Sequence, residues 1–124
     1  MSTAGAAGSD TGGLFAAIDA QDAASFVSFL TEDAVFRFGS APPVQGREQI
    51  REAVAAFFAT IAGCRHTIRN SLRSGPTVVC EGDVAYRRHD GTEVNVPFAD
   101  VFEYEGDLIA HYKIYIDIGP LYAD

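Results

Sequence analysis

An α+β fold is predicted by two features of this 124-residue chain: apolar residues at helical spacing in its first half, and four alternating stretches in its second. Helices followed by an antiparallel meander imply a long curved sheet wrapped around the helices, with a pocket between the layers. One stretch bears on that pocket. In Asn95-Val96-Pro97-Phe98-Ala99-Asp100-Val101-Phe102-Glu103-Tyr104, strand alternation puts Asp100 on one face with Val96, Phe98, Phe102 and Tyr104. A carboxyl group among aromatic rings loses its water, and its pKa rises unless donors or cations replace that water. Asp100 is therefore a candidate acid, base or hydrogen-bond donor. The competing reading is a partly exposed strand-edge Asp paired with an Arg.

Residues 1–13 are small and polar and read as a disordered tail; residues 14–124 form one domain. Leu14, Phe15, Ile18, Phe26, Phe29 and Leu30 recur at helical spacings, broken by Asp19-Ala20-Gln21-Asp22. Asp22 suits the N-cap of a second helix reaching about Thr31. Ala34 to Gly39 alternates as a strand, which Ser40-Ala41-Pro42-Pro43 ends. A third helix follows Gly46: over Arg47 to Ala62, Ile50, Val54, Phe57, Phe58 and Ile61 keep the amphipathic period. Four strands follow, about Cys64 to Arg73, Thr77 to His89, Glu93 to Tyr104 and Leu108 to Ile118. Their separators, Ser74-Gly75-Pro76, Asp90-Gly91 and Glu105-Gly106-Asp107, each hold a glycine that can take a positive φ.

Composition excludes several function classes. With 9 basic and 17 acidic residues the net charge is −8, which opposes the phosphate neutralisation that nucleic-acid binding needs. No apolar run approaches the roughly 20 residues that span a bilayer, so no membrane partner is expected. The N-terminus lacks the basic region and apolar core of a signal peptide, and a cytoplasmic location is expected. Cys64 and Cys80, without CxxC spacing, read as buried free thiols, with a disulfide as the other reading. GxSxG, HExxH and a phosphate-binding glycine loop are absent. The three histidines are scattered over different faces, so neither a metal site nor a cofactor is expected. His89 sits beside the Asp90-Gly91 hairpin and reads as solvated. Arg69, Arg73, Arg87 and Arg88 read as a solvated or salt-bridged sheet face.

Three segments carry a resemblance: Ile18-Asp19-Ala20-Gln21-Asp22 leading to Leu30-Thr31-Glu32-Asp33-Ala34-Val35-Phe36; then Gly46-Arg47-Glu48-Gln49-Ile50; then Phe98 to Gly106. In order and spacing the chain resembles the nuclear transport factor 2-like (NTF2-like) superfamily, in its SnoaL-like and ketosteroid isomerase-like branch, over about residues 14 to 122. The resemblance implies an α+β cone, three N-terminal helices packed in a curved, mostly antiparallel sheet that encloses a hydrophobic pocket. It does not fix a reaction, because this fold hosts isomerases, dehydratases, hydrolases, cyclases and non-catalytic modules. Against ketosteroid isomerases, the protonated aspartate falls on Asp100, the basic aspartate on Phe38 and the tyrosine on or next to Leu14, so that mechanism lacks two of its three parts. Against limonene epoxide hydrolases, Asp100 matches the first Asp, but Phe98 and Ile114 replace the Arg and the second Asp. Scytalone dehydratases and many SnoaL-like proteins place a pocket histidine where this chain has His66.

In Arg65-His66-Thr67-Ile68-Arg69-Asn70, alternation puts His66, Ile68 and Asn70 on one face. The expected catalytic set is His66 as general acid or base, Asp100 as its partner or a neutral donor, and Asn70 as the oxyanion contact. The expected ligand-binding lining is Phe15, Phe36, Phe38, Phe57, Phe58, Phe98, Phe102, Tyr112 and Ile114, although phenylalanines more often serve as core. Such a cavity suits a small hydrophobic oxygenated metabolite, polyketide- or steroid-like. The chain then reads as a cofactor-independent isomerase or lyase acting by proton transfer, or as a cyclase. The alternative is a non-catalytic ligand-binding or dimerisation domain of the same fold; a third reading is a protein-interaction module using the exposed sheet face. His111 alternates with Lys113, Tyr115 and Asp117 on the outer face, through which a homodimer is expected.

Overall fold

Burial repeats along α3 (Arg47–Ala59) at Ile50, Val54 and Phe58, the four-residue step that sets one stripe of a helix against a sheet. The sheet it faces has six strands: β1 (Leu30–Phe38), β2 (Val44–Gln45), β3 (Gly63–Ser74), β4 (Thr77–Arg87), β5 (Glu93–Glu105) and β6 (Leu108–Ile116). Two helices precede β1, α1 (Ser2–Asp19) and α2 (Ala23–Val27), and a short α4 (Gly119–Tyr122) closes the chain. This is a computed structural model; it describes residues 2–123, with side chains for 11–123. The tail expected over residues 1–13 falls chiefly on residues 1–10, outside those described with side chains.

The spatial order is β2-β1-β6-β5-β4-β3. From β3 to β6 the strands form the expected antiparallel meander, but β1 pairs with β6 in parallel, so the sheet is mixed. The reason is topological. A parallel neighbour requires a crossover connection, and α3 together with the rest of the meander supplies it between β1 and β6. The two-residue β2 also differs from expectation: after Pro42-Pro43 the chain turns back, and Val44 and Gln45 pair with Phe36 and Val35.

α1 ends at the expected break at Asp19, whereas α2 and α3 end earlier than their periodicity suggests. Gln21 takes φ +57°, and the amides of Gln21 and Asp22 bond back to the carbonyls of Ile18 and Ala17, a left-handed cap that stops α1. The Gln21 side chain then bonds the Phe58 carbonyl at 3.0 Å, tying this corner to α3. Asp22 caps α2 through the Ser25 amide at 3.0 Å. α2 stops at Val27 rather than Thr31, because Leu30 and Thr31 already belong to β1 and the Phe29 carbonyl accepts from the Ile109 amide of β6. α3 stops at Ala59 rather than Ala62, where the Thr60 hydroxyl bonds back to the Phe57 carbonyl and the Ala62 amide to Arg87.

Arg47 and Arg88 are the cations built into the frame. Arg47 donates to the Leu30 carbonyl through Nε at 2.8 Å, holding the start of α3 to β1. Arg88 donates to the carbonyls of Leu121, Pro120 and Ala123 at 2.9, 2.7 and 3.1 Å, so α4 is latched to the hairpin end and this arginine is not simply a solvated charge. Arg69 pairs with Asp83, and Arg73 stacks over the Tyr104 ring at 5.7 Å. Among the described residues no helix is long and apolar enough to cross a membrane.

Candidate functional site

Strand alternation aims one face of β1, β4, β5 and β6 at α1 and α3, and between them lies a cavity of about 200 Å³. Of the nine lining residues expected from sequence, Phe36, Phe38, Phe57, Phe58, Phe98, Tyr112 and Ile114 border it. Phe15 and Phe102 do not. Phe15 packs between the rings of Phe98 and Phe102, and Phe102 is fully buried against Tyr112, so both are core. Phe38, where the family comparison puts a base, stacks on Phe57 at 4.9 Å, and Leu14, in the tyrosine's position, is buried core.

Asp100 lies on the cavity wall and is only 2 % exposed. Its Oδ2 accepts a 3.4 Å hydrogen bond from the Tyr112 hydroxyl, while its Oδ1 is buried with no partner among the described residues. Opposite Asp100 on β6 stands Ile114, so Tyr112 reaches it diagonally, two residues along the neighbouring strand. Burial pushes the Asp100 carboxyl well above the usual carboxylate range, and the Tyr112 hydrogen bond offsets only part of that rise. The Tyr112 phenol is also pushed up, by burial first and then by Asp100.

His66 borders the same cavity, but its partner is Asp19, not Asp100. Nδ1 lies 2.7 Å from Asp19 Oδ1, and the His66 backbone amide donates to Asp19 Oδ2 at 3.1 Å. Asp19, the last residue of α1, is thus held from two directions by one residue of β3. A carboxylate at Nδ1 fixes that nitrogen as the N–H and leaves Nε2 as the acceptor. The rings of Phe15 and Phe98 flank the imidazole at 5.0 and 5.2 Å. Cys64, two residues back on the same strand face, donates weakly to the Ile18 carbonyl at 3.5 Å and to Asp19 Oδ1 at 3.8 Å. Burial, with Asp19 second, pushes the Cys64 thiol up to about 12. Cys64 and Cys80 are both free thiols.

Asn70 departs from the sequence expectation. The pairing of β3 with β4 runs His66 to Val84 and Ile68 to Gly82, then slips by one residue so that Asn70 faces Glu81 and Ser71 faces Cys80. That bulge at Arg69 reverses the alternation beyond it. Asn70 is exposed and bonds Glu81, so it cannot contact a ligand oxygen in the cavity. His89 is exposed and bonds the Ala59 carbonyl at the end of α3, and His111 lies exposed on the outer sheet face. Alternation alone pairs Cys64 with His66, whereas nothing local in the sequence marks Asp19, 47 residues away, as their neighbour.

A family model of the SnoaL-like domain matches residues 12–112. No curated protein matches the chain. Among solved structures, a protein of ketosteroid isomerase-like fold from Catenulispora acidiphila DSM 44928, crystallised with trimethylamine, is similar at TM-score 0.79 and 22% identity, covering 86% of this chain and 83% of its own. An NTF2-like protein from Burkholderia pseudomallei K96243 gives TM-score 0.82 at 14% identity over 91% and 92% of the two chains. A candidate SnoaL-like polyketide cyclase from Jannaschia sp. CCS1 gives 0.81 at 19% over 91% and 86%. At these identities the likeness establishes the shared fold.

Proposed function

This chain belongs to the SnoaL-like domain family, and on that premise we propose that its cavity binds a small apolar molecule through one carbonyl or enol oxygen and moves a proton on the carbon beside it. The observation that carries this reading is Asp100, a cavity-lining residue whose buried Oδ1 has no hydrogen-bond partner among the described residues. An orphaned buried polar atom is costly, and a ligand hydrogen bond would remove the cost. A neutral Asp100 that carries its proton on Oδ1 and accepts from Tyr112 at Oδ2 would have Oδ1–H left to donate to a developing oxyanion. His66 Nε2, with Asp19 fixing the opposite ring nitrogen, is the base that takes the proton.

The volume bounds the substrate. A dry cavity of about 150 Å³ accommodates benzene, so about 200 Å³ suits a single substituted ring better than a steroid. The test uses 2-cyclohexenone in heavy water, with exchange at its α-carbon followed by NMR. Wild type accelerates exchange; His66→Gln lowers the rate by about 10²-fold or more, and Asp100→Leu by a similar factor. Binding of the enone without exchange in wild type overturns the catalytic reading in favour of a ligand-binding domain. Exchange unaffected by both substitutions overturns the site.

The homodimer belongs to the same proposal. It would use the outer sheet face, where Tyr115 is 57% exposed in a strand with exposed His111 and Lys113. Light scattering at micromolar concentration is expected to return twice the chain mass for wild type and a monomer for Tyr115→Glu; a monomeric wild type removes the claim.

A further inference from the structure

We propose that Asp19 Oδ1, Cys64 Sγ and His66 Nδ1 form a three-ligand site for a zinc-class divalent cation, with a further coordination position open to the cavity. Each of the three residues offers a ligand atom within 4.8 Å of those of the other two. Tetrahedral zinc, at about 2.0–2.3 Å from each ligand, needs O, N and S atoms about 3.4–3.6 Å apart. The Asp19–His66 separation of 2.7 Å and the Cys64–Asp19 separation of 3.8 Å bracket that spacing. Side-chain adjustments of under about 1 Å therefore suffice, without movement of β3 or α1.

The surroundings favour a cation. Asp19 ends α1, where the helix dipole places its negative pole. The His66 amide already orients the carboxylate through Oδ2, and Oδ1, which faces His66 Nδ1 and Cys64 Sγ, is the oxygen turned toward the other two ligands. A dication with one carboxylate, one thiolate and one neutral imidazole sums to no net charge, the condition under which a partly buried site is tolerated. Thiolate and imidazole together select zinc-like ions over magnesium or calcium. Ile18, Cys64 and His66 border the cavity, and a fourth ligand entering from that side would give the arrangement of reactive rather than structural zinc sites.

The Cys64 thiol releases its proton to solvent, and the His66 proton moves from Nδ1 to Nε2 as Nδ1 takes the metal. Zinc therefore displaces the hydrogen-bonded form in which His66 Nε2 is a free base. The metal question is decided with no organic ligand present, so its outcome is separate from the proton-transfer reading.

The full-length chain, stripped with a chelator, is titrated with Zn²⁺ by calorimetry and with Co²⁺ by absorption. One equivalent is expected to bind, with a thiolate-to-cobalt charge-transfer band. Cys64→Ser abolishes that band, and Asp19→Asn and His66→Gln each weaken zinc binding at least tenfold, with circular dichroism reporting that the variants fold. His111→Gln binds as wild type does. No binding, or a band that survives Cys64→Ser and disappears in Cys80→Ser, overturns the proposal; so does affinity unchanged in both Asp19→Asn and His66→Gln.

Discussion

Replacing Gly82 with alanine is expected to destabilise the protein by about 3 kcal/mol or more, the range in which overpacking against an unyielding neighbour falls. A Cβ on Gly82 would lie 1.9 Å from the Thr67 carbonyl oxygen, 2.9 Å from its carbon and 3.1 Å from the Arg69 nitrogen. All three are backbone atoms, so no rotamer change relieves the clash. Gly82 stands opposite Ile68, beside the slip in register between Ile68 and Asn70. The missing side chain is what lets β3 press its extra residue against β4, since a bulge brings two residues against one. Alanine forces the strands apart there and exposes ladder hydrogen bonds on both sides. Urea denaturation checks this: the midpoint falls well below wild type, whereas an unchanged midpoint means the bulge tolerates a methyl group and is not glycine-dependent. The same bulge turns Asn70 outward while leaving His66 inward, so Gly82 helps decide which residues belong to the site.

The contrast between these two neighbours shows where sequence reasoning reaches and where it stops. The boundaries of β3 to β6 were legible within about two residues because Gly75, Gly91 and Gly106 take positive φ at the turns, at 58°, 90° and 64°. Burial on β4 alternates without a fault from Thr77 to Tyr86, so its inner face was legible as well. On β5 the period of two was enough to place Asp100 among buried rings. Periodicity fails at a bulge, because one inserted residue inverts every later assignment, and a bulge has no reliable mark on its own strand. The Arg69 slip therefore misplaces Asn70, although the glycine on the facing strand was a trace of it. Pairings between distant segments are equally silent. The parallel contact of β1 with β6 and the meeting of Asp19 with His66 depend on how α1 and α3 pack, which no local pattern encodes.

Stability is expected to fall as pH rises through the titration of Asp100, and Asp100→Asn should remove that fall. The folded-state carboxyl is held above its unfolded value by burial. A group raised in this way contributes no penalty below its unfolded pKa of about 3.9. Above that value the unfolded chain ionises first, and the native state loses about 1.4 kcal/mol per pH unit until the buried carboxyl also ionises. Asparagine has nearly the same shape and does not titrate. Its amide still faces the orphan problem of Oδ1, which adds an offset that does not vary with pH. The diagnostic quantity is therefore the pH slope of the difference between variant and wild type, because every other titrating group is common to both chains and cancels. Urea midpoints measured from pH 4 to pH 8 are expected to diverge, with the asparagine variant gaining on wild type as pH increases. Parallel curves would show that Asp100 ionises in the folded protein as readily as in the unfolded one, and the neutral donor proposed for the cavity would then be lost with the slope.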